Sequence, residues 1–348
     1  MLKAINKELV LRKKELSDEK IGSIYFGGGT PSLLSIDELQ FLIDCIYKNF
    51  QVNADAEITL EANPDDLSLE KIKELSNSPI NRLSIGIQSF FDDDLRFMNR
   101  AHSAEESKKC LTEATKYFDN ITIDLIYGVP KMTNKKWLEN LKMAFEFGAP
   151  HISSYALTVE EKTALHNLIK KGKVPPVDEN LALEHFNILV EETNKKGFVQ
   201  YEISNFGKLG YFSKHNTSYW FGEKYLGVGP SAHSFNGIKR SWNVSNNVKY
   251  IKALEENKIP SETEILTANN LFNEYIMTGL RTIWGVSFQK IEQEFGAKCL
   301  QQLQKNAEPF IEKGLLEIQI NSFSSNTLIT TKKGKFLADG IASDLFIV

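Results

Sequence analysis

The residues of this sequence that could perform chemistry lie where predicted strands end. Three consecutive glycines, Gly27–Gly29, allow positive φ angles and a close approach of the backbone to a ligand. Glu61, Gln88 and Asp124 end three later apolar segments, and Arg100 follows Gln88. These groups suit a small zwitterion that carries a ribose, because arginine pairs with a carboxylate while acidic and amide groups accept hydrogen bonds from an ammonium or hydroxyls.

Each of these residues also has a plainer interpretation when it is taken alone. The glycine triplet serves equally well as a tight structural turn, and each polar side chain could be a helix cap or part of a surface ion pair. The hypothesis of one common site therefore depends on their shared position at strand ends.

Strands and helices alternate along the first 160 residues, which predicts a parallel sheet with right-handed crossovers. The predicted strands cover residues 24–26, 57–61, 82–88, 121–125 and 151–155, and the predicted helices cover residues 1–16, 35–49, 69–75, 104–117 and 137–147. Ser35 to Glu38 has the pattern of a capping box at the start of the second helix. The carboxyl ends of the strands in a parallel barrel carry the active site.

The pattern changes after residue 160. A helix is predicted over residues 179–196, a strand-like segment over 199–203, and a stretch rich in glycine and aromatic residues over 205–243, followed from 267 by helices and a hairpin. Pro, Ser and Thr cluster near residues 260–267. We therefore predict a partial barrel over residues 1–160, a barrel-completing and linking segment over 161–262 and a small helix-rich C-terminal domain over 263–348.

Composition narrows the class of protein. The formal net charge of −4 over 348 residues argues against a broad nucleic-acid surface, which is usually basic. The sequence has neither 18 consecutive apolar residues nor a signal-peptide pattern, so we expect a cytoplasmic protein without a membrane anchor. Cys45, Cys110 and Cys299 are too far apart to predict a disulfide framework or a metal knuckle, and each is expected to be a small buried residue on a helix.

Four motifs together resemble the oxygen-independent coproporphyrinogen III oxidase family of radical S-adenosylmethionine (SAM) proteins. They are Gly-Gly-Gly-Thr-Pro-Ser at 27–32, Glu-Ala-Asn-Pro at 61–64, Ser-Ile-Gly-Ile-Gln-Ser-Phe at 84–90 and Asp-Leu-Ile-Tyr-Gly-Val-Pro at 124–130. Their order and spacing follow the family along nearly the whole chain. The resemblance implies an α/β fold, a partial (β/α)6 barrel whose first strand is missing here, with a smaller C-terminal domain.

The same resemblance implies a SAM site. The loop that contains Gly27, Gly28, Gly29 and Thr30 would meet the methionine amine of SAM, and Arg100 would meet its carboxylate. Glu61, Gln88 and Asp124 would hold the amino-acid and ribose parts. Ala156 would lie near the adenine.

A second motif is similar to a signature of one branch of that family, the HemW-type haem chaperones. His-Asn-Thr-Ser-Tyr-Trp at 215–220 resembles their His-Asn-x-x-Tyr-Trp signature, and residues 226–234 match the segment that follows it. Members of this branch are thought to bind haem and pass it on. His215 is the candidate haem ligand and His233 a weaker one, because imidazole ligates haem iron and flat rings pack on a porphyrin. The alternative is that His215 and Trp220 are buried, hydrogen-bonded residues between domains.

The sequence departs from the family at the iron-sulfur cluster. Family members carry Cys-x-x-x-Cys-x-x-Cys on the loop after the first barrel strand, where three thiolates hold a [4Fe-4S] cluster and leave one iron for SAM. No cysteine of this sequence has that spacing. Either the sequence starts downstream of the natural start or is otherwise shortened, or the protein is a cluster-free relative. The chain as written is not expected to cleave SAM reductively.

Three functions follow from these expectations. The first is a haem-trafficking chaperone that binds SAM, haem and, in its full-length form, a [4Fe-4S] cluster. Its partners would be haem-acceptor proteins, including membrane-bound ones, and the sequence is compatible with a homodimer. The second is an oxygen-independent coproporphyrinogen III oxidase, a decarboxylating enzyme of porphyrin biosynthesis. The third is an inactive, cluster-free remnant.

Overall fold

A computed structural model describes residues 1–161, 163–320 and 325–347. All five strands predicted in the first 160 residues are present, and so are the helices between them. The strands are β1 (Lys20–Phe26), β2 (Gln51–Ala62), β3 (Arg82–Gln88), β4 (Ile121–Tyr127), β5 (His151–Ala156), β6 (Val199–Gln200), β7 (Asn205–Gly207), β8 (His233–Phe235), β9 (Lys239–Asn243), β10 (Ser261–Ile265), β11 (Val286–Ser287), β12 (Leu316–Ile320) and β13 (Asn326–Thr330).

The predicted helices are present, with ends that shift by a few residues, and four further helices that were not predicted lie at residues 92–97, 164–170, 214–221 and 247–255. They are α1 (Leu2–Arg12), α2 (Ile36–Asn49), α3 (Leu69–Ser76), α4 (Asp92–Phe97), α5 (Ala104–Ala114), α6 (Asn134–Glu146), α7 (Ala164–Lys170), α8 (Glu179–Lys195), α9 (Lys214–Phe221), α10 (Asn247–Glu255), α11 (Ala268–Leu280), α12 (Phe288–Phe295), α13 (Ala297–Glu312) and α14 (Ala338–Asp344). The predicted capping box is confirmed: the Ser35 side chain accepts from the Glu38 amide, and the Glu38 carboxylate accepts from the Ser35 amide.

The largest sheet has seven strands in the order β1-β2-β3-β4-β5-β7-β6. β2, β3, β4 and β5 pair in parallel, whereas β7 is antiparallel to both β5 and β6. The parallel strands from β3 to β5 are largely buried, even where they carry polar residues such as His151 and Ser154. Leu83, Ile85 and Ile87 of β3, for example, have no exposed surface at all.

The chain divides into two compact units. The first, which we call the barrel unit, comprises residues 25–34 and 57–213 and contains the carboxyl ends of β1 and β2 with the remaining strands of the large sheet. The second, which we call the flanking unit, comprises residues 1–24, 35–56 and 214–348. All hydrogen bonds and side-chain contacts given below lie within one unit or the other.

The flanking unit contains two small antiparallel sheets and its own core. The sheet orders are β10-β9-β8 and β11-β13-β12. The second sheet packs with α11 to α14 around a cluster of buried apolar residues that includes Phe272, Ile276, Leu303 and Leu328. The predicted C-terminal hairpin is present as β12 and β13.

One expectation about the cysteines needs correction. All three lie on helices as predicted, and Cys45 and Cys110 are buried, but Cys299 is only half-buried. It packs at the margin of the core cluster of the flanking unit rather than inside it.

A buried carboxylate joins distant segments of the flanking unit. Glu8 of α1 is fully buried and accepts hydrogen bonds from the Arg12 guanidinium, the Gly229 amide, the Asn243 amide group and the Tyr250 hydroxyl. Arg12 in turn donates to the Gly227 carbonyl. The glycine segment 227–229 is therefore held by one ion pair, and Gly227 tolerates no side chain because a Cβ there would lie 2.0 Å from the His233 carbonyl oxygen.

We expect Glu8→Gln to lower the free energy of unfolding by about 2 kcal/mol or more, because the new amide group would face donors and leave Arg12 buried without its full partner. Urea denaturation measures the change. Glu15→Gln is the matched control, since Glu15 also pairs with Arg12 but is half exposed, and it should cost less than about 1 kcal/mol. Equal midpoints for the two variants would contradict the assignment.

Candidate cofactor site and histidine-aromatic cluster

The glycine loop after β1 is built around the carboxylate of Glu61. The Gly28 amide donates to Glu61 Oε2 at 3.1 Å, and the Tyr25 hydroxyl donates to Glu61 Oε1 at 2.6 Å. Gly28 and Gly29 both have φ near +70°, and a Cβ on Gly27 would lie 2.5 Å from the Tyr25 ring. The loop therefore needs glycine both for its backbone angles and for its close packing.

The polar groups of Gln88 and Arg100 lie close to each other over Gly86 of β3. A Cβ on Gly86 would lie 2.9 Å from Gln88 Nε2 and 3.0 Å from an Arg100 Nη2, so both polar groups lie directly over this glycine. Gln88 has φ of +65°, at a shift of register between β3 and β4. A strained non-glycine residue of this kind often marks a functional position.

Arg100 is partly buried, and the hydrogen-bond donors of its guanidinium are incompletely paired among the described residues. Burial lowers its pKa, and the charges of Asp124 and Asp65 oppose that effect. Its Nε is buried and has no hydrogen-bond partner among the described residues. An unpaired donor of a charged group is costly, so a carboxylate from a ligand would be favoured here.

Asp124 lies on β4 and is the most perturbed carboxylate of the barrel unit. Burial raises its pKa to about 7, and the nearby charge of Glu61 adds to the increase. The Ser84 hydroxyl lies 3.2 Å from Asp124 Oδ2, and hydrogen bonds from Ser84 and Ser153 act in the opposite direction. Two carboxylates that repel each other in a half-buried site favour a cationic or hydroxyl-rich ligand.

β5 contributes a small residue, Ala156, and two serines to the site. Ala156 is half-buried and pairs in register with Tyr127 of β4. Ser153 Oγ donates to Asn205 Oδ1 at 2.6 Å, and the buried Ser154 Oγ has no hydrogen-bond partner among the described residues. All of the predicted site residues lie in the barrel unit. Gly27–Thr30, Glu61, Gln88 and Ala156 lie at or next to the carboxyl ends of strands, whereas Asp124 lies in the middle of β4 and Arg100 follows α4.

Sequence reasoning missed the side chains that hold these groups in place. Tyr25, Ser84 and Ser153 lie within strands and contact Glu61 or Asp124. The available signal was that each of them lies on the same strand as a predicted site residue or on the neighbouring strand, because neighbouring parallel strands bring such residues together.

The chemistry of this site fits SAM. It offers a cation with an unpaired donor, two carboxylates, a carboxamide and loop amides, which match the carboxylate, ammonium and hydroxyl groups of SAM. The described residues contain no group of three His, Cys, Asp or Glu side chains that could hold a metal ion.

His215 lies on α9 in the flanking unit, among aromatic rings. Its Nδ1 is 3.1 Å from Ser23 Oγ. Its ring packs edge-on against Tyr219, with centroids 5.0 Å apart, and Tyr219 packs against Tyr225 at 4.6 Å. Neither His215 nor any other residue of α9 is fully buried.

His233 and Trp220 lie near this cluster in sequence but have other surroundings. His233 begins β8, is exposed, and packs on Trp242 with centroids 6.2 Å apart. Trp220 is half-buried under the guanidinium of Arg281, at 5.3 Å from the ring centroid. The geometry therefore groups His215 with Tyr219 and Tyr225 rather than with His233.

Two family models match parts of the chain. Residues 4–153 match the model of the Radical SAM superfamily, and residues 266–325 match the model of the HemN C-terminal domain. The described residues include no helix that is long and apolar enough to span a membrane.

Several relatives resemble the chain along most of its length. It is 34% identical to the heme chaperone HemW of Bacillus subtilis, over 98% of this chain and 89% of that protein. It is 31% identical to the heme chaperone HemW of Mycobacterium tuberculosis, over 99% of this chain and 85% of that protein. A mitochondrial radical S-adenosyl methionine domain-containing protein 1 of Bos taurus is 32% identical, over 85% and 70%.

A solved structure shows the same fold. The coproporphyrinogen III oxidase HemN of Escherichia coli, a radical SAM enzyme, superposes with a TM-score of 0.83 over 99% of this chain and 82% of that one, at 23% identity. The predicted partial radical SAM barrel is confirmed. At this identity the likeness concerns the fold alone.

We expect Asp124→Asn to change how stability depends on pH. The native pKa near 7 lies above the value of about 3.9 in the unfolded chain, so the native state binds the extra proton between these values. Unfolding free energy should therefore fall as pH rises from about 4 to 7 in the parent protein, and the variant should lack this loss. Chemical denaturation of both proteins at pH 5 and pH 8 measures this loss of stability. If the stability difference between the two pH values is the same in the parent and the variant, the raised pKa of Asp124 is refuted.

Proposed function

The chain belongs to the HemW heme chaperone family of the radical SAM superfamily, and we propose that it binds haem through His215 and passes it to acceptor proteins. The single observation that carries this proposal is the setting of His215. Its Nδ1 contacts a hydroxyl, its ring is fixed by Tyr219, and its helix is only partly buried. Metal-bound histidines are commonly oriented by a hydrogen bond to one ring nitrogen, and the contact of His215 with Ser23 is of this kind.

We expect His215→Ala to abolish axial ligation, because no other imidazole belongs to the cluster with Tyr219 and Tyr225. Titration of the full chain with haem, followed by the shift of the Soret band, measures it. His233→Ala is the matched control, a second histidine of the same unit, and should keep the parent spectrum. A parent spectrum for His215→Ala would rule out this ligand, and the absence of any Soret shift in the parent protein would refute haem binding itself.

We propose that the strand-end site of the barrel unit binds SAM. Arg100 would pair with the SAM carboxylate, and the Gly27–Thr30 loop would meet the amine. Glu61, Gln88 and Asp124 would hold the amino-acid and ribose groups, and Ala156 would lie by the adenine. The support for this assignment is the convergence of an underpaired arginine and two carboxylates at one edge of the sheet.

A [4Fe-4S] cluster is implied by the family but has no fitting ligands among the described residues. Such a cluster needs three thiolates, and Cys45 and Cys110 are buried on helices. We therefore derive no step through a cluster. When bound to such a cluster, SAM would supply radical chemistry, whereas the residues described above bind and orient SAM.

We expect Arg100→Gln to weaken SAM binding about tenfold or more, because one charge-assisted hydrogen-bond pair is worth about 1.5–3 kcal/mol. The measurement is the rise in melting temperature at increasing SAM concentration, since a ligand that binds only the native state stabilises it. Arg96→Gln, an exposed arginine on α4, is the matched control and should respond like the parent. Equal SAM responses of the two variants would exclude Arg100 from the site.

The remaining expectations about this protein stay predictions. They are the haem-acceptor partners, the homodimer, the cytoplasmic location and the three-part domain division. The coproporphyrinogen oxidase and the inactive remnant remain the rival functions; the haem titration tests the chaperone against both, and a remnant would also fail to respond to SAM.

A further inference from the structure

An arginine lies at the far end of the aromatic cluster that begins at His215. Tyr225 is bridged to Phe235, and their rings are 6.1 Å apart. Phe235 of β8 is the direct cross-strand partner of Arg240 on β9. Arg240 also hydrogen-bonds the Tyr225 side chain. The residues His215, Tyr219, Tyr225 and Arg240 thus form one continuous strip in the flanking unit, which we call the haem strip.

The haem strip has the parts that a carboxylate-bearing metalloporphyrin needs. An imidazole at one end can ligate iron, two tyrosine rings in the middle offer flat apolar surface, and a guanidinium at the other end can hold a carboxylate. Tyr219 in the middle of the strip is 39% exposed and the Arg240 side chain at one end is 35% exposed, whereas His215 at the other end is half-buried.

Arg240 already has a partner, but that partner is easily exchanged. Its Nη2 lies 2.9 Å from Glu274 Oε2, and both side chains are about one third exposed. Ion pairs of this exposure contribute about 0–1 kcal/mol. A second carboxylate could therefore replace or join Glu274 at little cost, since a guanidinium has five N–H donors.

We propose that Arg240 binds a propionate carboxylate of the haem whose iron His215 ligates. This inference rests on the proposed haem function and adds the group of the ligand that is recognised. Glu274 then acts as a stand-in for the propionate when no haem is bound. Haem release to an acceptor is accompanied by restoration of the Arg240–Glu274 pair, which keeps the arginine from being left unpaired.

The test compares haem with haem dimethyl ester, which keeps the iron and the ring but lacks both carboxylates. Affinities are measured by Soret titration for the parent chain, Arg240→Gln, Glu274→Gln and the matched control Lys239→Gln, the neighbouring exposed residue of β9. The proposal expects Arg240→Gln to weaken haem binding about tenfold, with an unchanged Soret position and unchanged affinity for the ester. Lys239→Gln should match the parent for both ligands.

Glu274→Gln provides an independent outcome that does not depend on removing the arginine. It takes away a carboxylate that competes with the propionate, so haem binding should tighten while ester binding stays constant. Equal loss of affinity for haem and ester in Arg240→Gln would mean a structural role and overturn the proposal. Equal affinity of the parent for haem and ester would also overturn it while leaving haem ligation by His215 intact. No Soret shift with either ligand would overturn the proposed function and this inference together.

Discussion

The parallel pairing of β2, β3, β4 and β5 is the constraint on which the proposed SAM site depends. The hydrogen bonds between these strands bring Glu61, Gln88 and Asp124 to the carboxyl-terminal halves of neighbouring strands, because parallel strands all end at the same side. Leu83, Ile85 and Ile87 alternate along β3 and are fully buried, so they form one apolar face of this strand. A slip of one residue in the pairing of β3 would move these side chains to the opposite face and would turn Ser84 away from Asp124, so the apolar core and the polar site depend on the same register.

The charges of Glu61 and Asp124 then favour a ligand that carries a positive charge. Glu61 receives hydrogen bonds from Tyr25 and Gly28, whereas Asp124 is buried deeply enough for its pKa to rise to about 7. The charge of Glu61 also contributes to the raised pKa of Asp124. A ligand that brings an ammonium or sulfonium charge would remove the repulsion between them, and it would lower the Asp124 pKa as it binds.

The sequence predicts the strands and helices of the first 160 residues because they depend on local patterns. The alternation of strands and helices, the capping box at Ser35 and the place of Glu61 near the end of β2 all follow from hydrophobic periodicity and from the residues that end each element. The support of these residues does not. Tyr25 meets Glu61 across a 36-residue separation, and only the register of the sheet brings them together. The sequence also does not show that Arg240 lies near the cluster of a histidine 25 residues earlier, because the antiparallel pairing of β8 with β9 is what brings Arg240 opposite Phe235.

Anchoring of the glycine segment 227–229 links the stability of the flanking unit to its haem strip. Glu8 and Arg12 hold Gly227 and Gly229, and this segment lies between Tyr225 and β8. Because buried ion pairs contribute little net stability but are costly to break, the Glu8–Arg12 pair is better explained by the one conformation that it imposes on the segment than by stability alone. The segment leads from Tyr225 to β8, whose Phe235 packs against Tyr225 and pairs with Arg240. A rigid ligand with iron at its centre and carboxylates at its edge would require a fixed separation of the His215 imidazole and the Arg240 guanidinium, which a well-anchored segment favours.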